Sequence, residues 1–393
     1  MAIRGIVIDV SETLIHDGQL VPEAQRFWEG CRLLGLKIIV AATHQSDADR
    51  LKQLGLEGDV VASRESLKVN KPSPKYITVP AESLGLKMRE LVYIGDSQND
   101  AFCAARAKIP FLRADWAAPD HTYGIPMPDI RTAGRFIHIY LTKAEPWFWS
   151  IDRLDNCGRP YRYRTMIDGR TRVNGNGQVV LAARELLKNG VQTYRWFFFY
   201  HLIASLHLSG LLEEVDYWTT YPSSARGSTG HSGIAEAISP LAKLFHDTYQ
   251  PLLLRHTQVR KSHELKAQGI ETRFDMQVGS VMLNPAFTKP LAGKRVLVLD
   301  DFSTEGYSFE WARNALYNRG ATSVICVAIG KFGTSILLET PRAGVTYDAS
   351  ARVALTDDDF EPEAYESYGG RIESAAEELR TSFDLYRRYR SGI

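Results

Sequence analysis

The chain has 393 residues, too many for one hydrophobic core of ordinary size, and we therefore expect two domains. Its 47 basic and 46 acidic side chains leave a formal charge of +1, which excludes an overall electrostatic field that would hold nucleic acid or an anionic membrane. The four cysteines form no C-x-x-C pair, which argues against a disulfide framework and a structural zinc site and favours a reducing cytoplasm.

Apolar runs alternate with helical stretches from Ile3 to about Tyr140. This rhythm predicts βαβ units on a parallel sheet. The pattern breaks near the proline-rich residues 116–129, and we place the domain boundary near residue 146. Helices and strands alternate again after Val179, which predicts a second α/β sheet with a core at about residues 180–335.

Residues 146–178 read as a linker or hood in which aromatic and basic residues interleave. Its arginines are Arg153, Arg159, Arg162, Arg164, Arg170 and Arg172. Such interleaving can bind single-stranded nucleic acid, but the interpretation we favour is a twisted hairpin with solvated arginines. Nucleic acid is therefore the least favoured partner.

The segment Trp196–Leu212 is the most apolar stretch of the chain. It contains two histidines and two serines and falls short of the roughly 20 residues that a membrane span needs. We predict a buried core helix and no membrane partner.

Four signals in the first domain follow one another in a characteristic order. Asp9 ends the strand-like run GIVID, Thr43 follows KIIVAA, Lys71 lies in VNKPSP, and Asp96 and Asp100 follow LVYI. Open α/β sheets bind ligands outside the carboxyl ends of their strands, where Asp9 is expected. Together the four signals resemble the motifs of the haloacid dehalogenase superfamily over about the first 140 residues.

The resemblance implies a phosphatase that forms an aspartyl phosphate on Asp9. It implies that Thr43 and Lys71 hold the transferring oxygens of the phosphate. Magnesium is the implied cofactor, with ligands from Asp9, Asp96, Asp100 and the backbone carbonyl of Ser11.

Ser11 departs from the family pattern. Family phosphatases usually carry there a second aspartate that protonates the leaving oxygen, a contribution of roughly 10² to 10⁴ in rate. Serine cannot act as a carboxylic acid, so pyrophosphate, acyl phosphates and P–N bonds, which leave readily, suit the site best. Relatives that act on such groups resemble this chain in having serine there. A protein that only binds a phosphorylated ligand is the alternative.

The spacing of these motifs leaves no room for a cap domain. Only 33 residues lie between Asp9 and Thr43, and 27 between Thr43 and Lys71. We therefore predict a capless sheet with helices on both faces and an open site, which the C-terminal domain could cover.

A second set of polar residues follows the apolar strand RVLVL. It consists of Asp300, Asp301, Ser303, Thr304, Gly306 and Ser308. Two acids can accept from ribose hydroxyls, while loop amides and a helix N-terminus can hold a phosphate. The set resembles the phosphoribosyl pyrophosphate (PRPP) motif of type I phosphoribosyltransferases, specifically the ComF type.

The same resemblance implies further ligand contacts upstream of the acidic pair. The candidate pyrophosphate loop contributes Ser223, Ser224, Arg226 and Gly227, and the candidate flap contributes Arg255 and Arg273. Basic groups there would balance the pyrophosphate that leaves. We thus predict a phosphoribosyltransferase-like α/β domain at residues 146–393, following the phosphatase domain at residues 1–145.

Glu305 departs from this second pattern because it places a negative charge beside the expected phosphate. A working transferase, a regulatory domain that senses PRPP or a nucleotide, and a structural domain all stay open. The leading hypothesis is a bifunctional enzyme that transfers phosphoribose to an unknown base and hydrolyses the pyrophosphate or the nucleotide product. Such domain pairs resemble those of bacterial stress-response and phage-defence clusters. The oligomeric state stays open, a homo-oligomer included.

Overall fold

The structure is a computed structural model that describes residues 2–169, 177–230, 232–245, 248–260, 265, 268–270, 273–366 and 371–390. Arg170 and Arg172 of the predicted linker lie outside these residues. Two parallel-stranded sheets dominate the part of the chain that is described, one built from residues 5–127 and one from residues 149–331.

The first sheet has six parallel strands in the order β5-β4-β1-β6-β7-β8. The strands of this half of the chain are β1 (Gly5–Asp9), β2 (Ile15–His16), β3 (Gln19–Leu20), β4 (Lys37–Ala41), β5 (Val60–Ala62), β6 (Leu91–Gly95), β7 (Phe111–Ala114) and β8 (Ile125–Met127). Every residue of β1 is buried, because helices cover both faces of the sheet. The predicted parallel α/β fold of the first domain is therefore confirmed.

The covering helices are short and lie between consecutive strands. They are α1 (Ala24–Leu33), α2 (Gln45–Gln53), α3 (Arg64–Leu67), α4 (Lys75–Ser83), α5 (Gln98–Arg106) and α6 (Ile130–Phe136), which continues as a π-helical turn at Ile137–Leu141. Short 3₁₀ turns occur at Met88–Glu90 and Asp115–Ala117. Residues 10–70, all of them described, form core elements and the two-residue strands of the β2–β3 hairpin, so no cap domain is inserted there.

The second sheet has the order β11-β14-β15-β10-β9, in which only β9 runs antiparallel to its neighbour. The strands of this half are β9 (Trp149–Leu154), β10 (Pro160–Asp168), β11 (Tyr217–Thr220), β12 (Leu253–Arg255), β13 (Val281–Leu283), β14 (Arg295–Ser303), β15 (Ser323–Lys331), β16 (Ser335–Pro341) and β17 (Phe360–Glu366). β12 pairs with β13 and β16 pairs with β17 as separate antiparallel ribbons. A second α/β unit is thus present, as the alternation after Val179 predicts.

The helices of the second half include both long and single-turn elements. They are α7 (Gly177–Asn189), α8 (Arg195–Leu208), α9 (Leu211–Glu214), α10 (Ser232–Ala237), α11 (Ser239–Leu244), α12 (Asp275–Val278), α13 (Tyr307–Asn318) and α14 (Glu373–Arg390), with 3₁₀ turns at Gln192–Tyr194 and Asp357–Asp359. In the described part of the chain, no helix combines the length and apolar character that crossing a membrane requires.

Helix α8 is the predicted core helix, and it lies between the two sheets. Its residues from Phe197 onward are buried except Tyr200, which is partly buried. The helix shares one hydrophobic cluster with a face of each sheet. His207 Nε2 lies 2.7 Å from the Leu91 carbonyl at the start of β6, and Ser205 Oγ donates to the Pro146 carbonyl. The two α/β units therefore share core, while the boundary near residue 146 stays a prediction.

The arginine-rich segment forms the β9–β10 hairpin that we expected. Contrary to the prediction of a linker or hood outside the core at residues 180–335, β10 pairs with β15, so this hairpin belongs to the second sheet. Its described arginines are not free in solvent, however, which corrects the expectation of solvated side chains. Arg153 pairs with Glu363, Arg159 with Asp155, Arg162 with Asp152 and Glu214, and Arg164 with Asp152. Guanidinium groups committed to carboxylates of the same chain are poorly placed to bind nucleic acid.

Candidate functional site

The carboxyl edge of the first sheet brings the predicted phosphatase residues together. Asp9 ends β1 and is paired in register with Ala41 at the end of β4. Asp96 follows directly after β6, the other neighbour of β1. Neighbouring parallel strands end at the same edge of a sheet, so the two carboxylates converge there.

Lys71 joins this edge from the segment before α4. Its ammonium Nζ lies 2.5 Å from Asp9 Oδ1 and 2.7 Å from Asp100 Oδ1, and it donates to the Ala41 carbonyl at 2.8 Å. The side chains of Lys71, Asp9 and Asp100 are 6%, 6% and 1% exposed. The Lys71 ammonium thus lies between two buried carboxylates. This is the position expected of a cation that contacts a phosphate oxygen beside Asp9.

Burial and charge oppose each other in this cluster. Burial raises the pKa of Asp9, whereas the Lys71 ammonium acts to lower it. Burial alone would lower the pKa of Lys71, but the carboxylates of Asp100 and Asp9 outweigh it and raise that pKa. Burial likewise raises the pKa of Asp96. Lys71 is therefore held as a cation among acids that need further positive charge.

Asp9, Asp96 and Asp100 fit a divalent cation. Each offers one carboxylate oxygen, and these oxygens lie within 4.8 Å of one another. Clustered carboxylate oxygens are the ligands that Mg²⁺ prefers, and a cation would offset the cost of burying three acids beside one lysine. Ser11, the fourth predicted ligand, lies two residues past Asp9, where its carbonyl accepts from Thr13 N. Its role as a ligand stays a prediction.

Asp100 is fixed by its place on α5. It is the third residue of the helix, and its Oδ2 accepts from the Ser97 hydroxyl at 2.6 Å and the Ser97 amide at 3.2 Å in a capping box. Its Oδ1 accepts from the Tyr93 hydroxyl at 2.6 Å. Gly95 makes this approach feasible, since a Cβ there would lie 2.9 Å from Asp100 Oδ2.

Several residues that support the site were not predicted from the motifs. Thr13 Oγ1 donates to Asp96 Oδ1 at 2.8 Å, and Trp116 Nε1 donates to the Thr13 carbonyl at 3.0 Å. His121 Nε2 lies 2.9 Å from the Asp96 carbonyl. These contacts tie the loop after β1 to the loops after β6 and β7. The proline-rich composition of residues 116–129 carries no signal for this role.

Thr43 and Ser11 lie at the exposed mouth of the edge. Both residues are exposed, and Thr43 follows β4 two residues after the register partner of Asp9. Their contacts with a phosphate stay predictions.

The second sheet places the predicted acidic pair at the end of β14. Asp301 is buried and Asp300 half-buried, and their carboxylates accept from the next backbone amides, those of Phe302 and Asp301. Ser303 and Thr304 lead to Gly306, whose φ of 94° is the left-handed conformation that favours glycine before α13 begins. Ser308 lies in the first turn of that helix. A strand, a polar loop and a helix thus follow one another, but β14 continues through Ser303 and α13 begins at Tyr307, so the loop is shorter than predicted. The binding of a phosphate by this loop stays a prediction.

The candidate pyrophosphate loop follows β11, the strand beside β14. Ser223 N donates to Ser228 Oγ, Gly227 N donates to the Arg255 carbonyl at 2.7 Å, and Arg226 is exposed. Val259 N donates to the Ser224 carbonyl. This loop is therefore docked on the segment that carries β12.

Tyr221 and Lys331 approach the two loops, and the motifs identified neither. Burial raises the pKa of the Tyr221 hydroxyl, with opposing influences that include Arg255 and the Ser308 hydroxyl. Lys331 at the end of β15 donates from Nζ to the Thr304 carbonyl and, at 2.6 Å, to the Phe332 carbonyl. The second edge thus receives a cation that the sequence motif did not include.

Two arginines expected to contact substrate are engaged with protein groups instead. Arg255 is buried, and its guanidinium donates to the carbonyls of Ser223 and Pro222 and to Ser280 Oγ. These hydrogen bonds fix the backbone of the candidate pyrophosphate loop. Arg273 is 60% exposed and pairs with Asp357 and Asp275. The structure therefore does not present these side chains as open anion ligands.

A buried charge network lies behind α13. The Arg313 guanidinium is fully buried and lies 2.5 Å from Asp155 Oδ2 and 2.8 Å from Glu310 Oε2. Asn314 donates to the Glu339 carbonyl and accepts from Arg159. Because these groups satisfy one another, the network fixes the helix that follows the acidic loop rather than facing a ligand.

Comparison with known families identifies part of the first sheet. Residues 32–114 match the sequence model of the haloacid dehalogenase-like hydrolase family, a segment that contains Thr43, Lys71, Asp96 and Asp100. The chain therefore contains a haloacid dehalogenase-like hydrolase domain. The match begins after Asp9, so the place of Asp9 rests on the geometry above. The matched segment lies within the first sheet. The function of the second sheet is therefore inferred from its structure alone.

Solved structures that resemble the chain carry related names. A HAD-superfamily hydrolase from Ehrlichia chaffeensis is 12% identical, with 35% of this chain and 97% of that one covered and a TM-score of 0.30. A HAD-superfamily hydrolase of subfamily IA from Geobacter sulfurreducens is 18% identical over 34% and 98%, with a TM-score of 0.28. A HAD phosphatase from Thermococcus onnurineus is 23% identical over 29% and 56%, with a TM-score of 0.28. No curated protein matches the chain.

Proposed function

We propose that the first sheet carries a magnesium-dependent phosphohydrolase that works through an aspartyl phosphate on Asp9. The observation that carries the proposal is the buried Lys71 ammonium between Asp9 and Asp100, with Asp96 beside them. Lys71 neutralises charge that would otherwise repel a phosphate, and Asp9 lies at the open edge of the sheet as a nucleophile must. Bound magnesium would supply positive charge to the phosphate oxygens.

The test is phosphate release from acetyl phosphate with magnesium, together with intact-protein mass spectrometry for a phosphorylated enzyme. Asp9→Asn should abolish both the release and the phosphorylated species. Asp120→Asn, at an exposed aspartate of the same domain, is the matched control and should keep both. Equal activity in wild type and Asp9→Asn would contradict the proposal.

For the second sheet we propose a PRPP site whose ribose end faces Asp300 and Asp301. Two observations support it: the acidic pair leads through a left-handed Gly306 into the N-terminus of α13, and the loop after the neighbouring strand β11 ends at the same edge. Phosphoribosyl transfer to a base would make a nucleotide and release pyrophosphate, and the first site could hydrolyse either product. The shared core around α8 connects the two units.

Phosphorus NMR with magnesium and PRPP, with and without a small-molecule cell extract as a source of bases, tests the coupled enzyme. A new phosphoester with inorganic phosphate is expected from wild type, and pyrophosphate or a nucleotide should accumulate with Asp9→Asn. PRPP that survives unchanged in every sample would contradict the transferase.

A PRPP or nucleotide sensor is the second candidate, favoured by Glu305 in the loop before α13. Asp301→Asn separates the two functions. A transferase loses base transfer and keeps phosphate release, whereas a sensor changes phosphate release only in its response to PRPP. A role in phage defence would require that cells carrying the wild-type protein resist infection and that cells carrying Asp9→Asn or Asp301→Asn do not.

A further inference from the structure

A cavity of about 460 Å³ lies between α5 of the first sheet and the second half of the chain. Apolar side chains from both halves line it, namely Phe102, Leu212, Val215, Trp218, Leu244 and Phe245. Small-molecule sites are typically cavities of roughly 300–1,000 Å³ with mainly apolar and aromatic walls. None of the described residues that line this cavity belongs to either candidate site above.

The charged groups among the described lining residues are the cations Arg106 and Lys108. Arg106 is exposed, and its Nη1 donates to the Pro72 carbonyl at 2.6 Å. Lys108 Nζ donates to the Glu213 carbonyl at 3.1 Å. Carbonyl oxygens orient these two groups and do not cancel their charge. The Glu213 carboxylate also attracts Lys108, but Arg89 acts on the same carboxylate. The cavity therefore favours a ligand with an apolar body and one anionic group.

Helix α5 connects this cavity to the first candidate site. The helix carries a residue of the acidic cluster in its first turn and forms a wall of the cavity further along. Its Arg106 holds the carbonyl of Pro72, the residue that follows Lys71. Cys103 Sγ on the same helix donates to the Ser73 carbonyl at 3.4 Å. The segment that carries Lys71 is thus anchored on the helix that a ligand in the cavity would contact.

A row of aromatic rings forms a second connection. The ring of Phe102, in the cavity wall, has its centroid 5.3 Å from that of Tyr123, which lies 5.6 Å from that of His121. Tyr123 N donates to His121 Nδ1, so Nε2 carries the ring proton and donates to the Asp96 carbonyl at 2.9 Å. A ligand against Phe102 therefore packs on the contacts that hold Asp96.

We propose that the cavity binds a small aromatic carboxylate and that the bound ligand strengthens the magnesium site of the first sheet. The aromatic body packs against Phe102 and Trp218. The carboxylate pairs with Arg106 and Lys108. A guanidinium has five N–H donors, so Arg106 holds the Pro72 carbonyl and the carboxylate together. The ligand thereby fixes α5 and the loops of the acidic cluster before the ion arrives, which lowers the cost of binding it. This second part rests on the proposed phosphohydrolase.

Isothermal titration calorimetry with 2-naphthoate and its uncharged analogue 2-naphthamide tests the site. Hydrogen bonds to a charged group are the stronger ones, so naphthoate should bind at least about ten-fold more tightly than naphthamide. Arg106→Gln should weaken naphthoate about three-fold or more and leave naphthamide within about two-fold. Arg26→Gln, at an exposed arginine of α1, is the matched control and should change neither.

Filling the cavity tests its location. Ala105 of α5 lies in the cavity wall, so Ala105→Phe should occupy the space and abolish binding of naphthoate. Ala105→Leu fills less of the cavity and should weaken naphthoate by an intermediate amount. Circular dichroism and thermal unfolding check that both variants keep the fold.

Magnesium tests the coupling, because linkage between two binding sites is reciprocal. Naphthoate should bind about five-fold more tightly at saturating magnesium than in EDTA. Phosphate release from acetyl phosphate should need about five-fold less magnesium when naphthoate is bound. Ala105→Phe should remove this effect of naphthoate on phosphate release.

The outcomes separate the two proposals. Equal binding of naphthoate and naphthamide, no binding of either, or unchanged binding of naphthoate in Ala105→Phe would overturn the anion site. Naphthoate that binds equally well with and without magnesium would overturn the coupling while the phosphohydrolase stands. If wild type releases no more phosphate than Asp9→Asn, the phosphohydrolase fails, and calorimetry still decides the cavity.

Discussion

The two sheets bury their charges in different places. In the first, the buried ions Lys71, Asp9 and Asp100 converge on the carboxyl edge of the sheet. In the second, the fully buried guanidinium of Arg313 pairs with Asp155 and Glu310 behind α13. A buried charge cluster at a strand end indicates a catalytic or binding site, whereas one between a helix and a hairpin indicates a structural role. The position of the cluster in the fold therefore distinguishes the two roles better than its burial does.

The largest expected effect tests the first edge. Lys71→Met should lower kcat for phosphate release by at least about 10²–10³-fold, because it removes a preorganised donor to the phosphate and leaves two acids uncompensated. Steady-state kinetics with acetyl phosphate measure it. Lys75→Met, at the exposed start of α4, is the control. Its kcat should stay within about two-fold of wild type, because substitutions at exposed positions usually have small effects.

Arg313→Met tests the network of the second sheet. It leaves Asp155 and Glu310 without their buried partner and should lower the free energy of unfolding by about 3–5 kcal/mol. Urea unfolding followed by circular dichroism gives this value. Arg319→Met, at the exposed end of the same helix, should cost little. Comparable losses in the two variants would mean that the network does not stabilise α13.

Lys143→Met tests the region between the sheets. The Lys143 ammonium is buried, with Nζ 2.7 Å from His201 Nδ1 and Glu378 as the nearby acid, and burial lowers its pKa to about 7. Because the unfolded lysine keeps its proton up to a higher pH, unfolding takes up a proton between pH 7 and the ordinary lysine pKa, and stability should rise with pH there.

At pH 7 and below, a charged Lys143 therefore opposes folding. Methionine should raise the free energy of unfolding at pH 7 by about 1–2 kcal/mol and flatten the rise toward pH 10. Thermal unfolding at pH 7 and 9.5 measures both. The exposed Lys87→Met should show no such change with pH. A wild-type stability that falls between pH 7 and pH 9.5, or a rise that is equally steep in Lys143→Met, would contradict the sign.

The smallest effect concerns the loop of the second edge. Removing the charge of Glu305 beside a helix N-terminus should favour an anion by about 0.3–1 kcal/mol. Glu305→Gln should accordingly tighten PRPP binding about 2- to 5-fold, measured by isothermal titration calorimetry. Glu361→Gln on β17 serves as the distant control. Weaker binding in Glu305→Gln would show that the carboxylate helps to hold the ligand.

Sequence reasoning succeeded where residues act at strand ends. Asp9 and Asp96 were predicted at the carboxyl edge because each follows an apolar run, and neighbouring parallel strands end at the same edge of a sheet. Lys71 was predicted from the order of the motifs, because it lies in the segment before α4 and not at a strand end. The buried helix at Arg195–Leu208 was recognised because its apolar residues continue all round it.

Tertiary contacts account for what was missed. Thr13, Trp116 and His121 meet only because the loops after three strands meet, and no local pattern announces that. Arg255 and Arg273 were assigned to substrate by their charge, yet their partners are carbonyls and acids distant in sequence. A charged side chain in a sequence does not say whether its counter-charge belongs to a ligand or to the protein.

The place of α8 also bears on synthesis at the ribosome. The first sheet is complete in the chain by β8, but its hydrophobic cluster includes side chains from Phe197 to Leu208. The ribosome synthesises the chain from its N-terminus, and domains generally fold in that order. About another 70 residues must therefore be synthesised after β8 before α8 can cover that face of the sheet. The nascent chain should need protection over that interval.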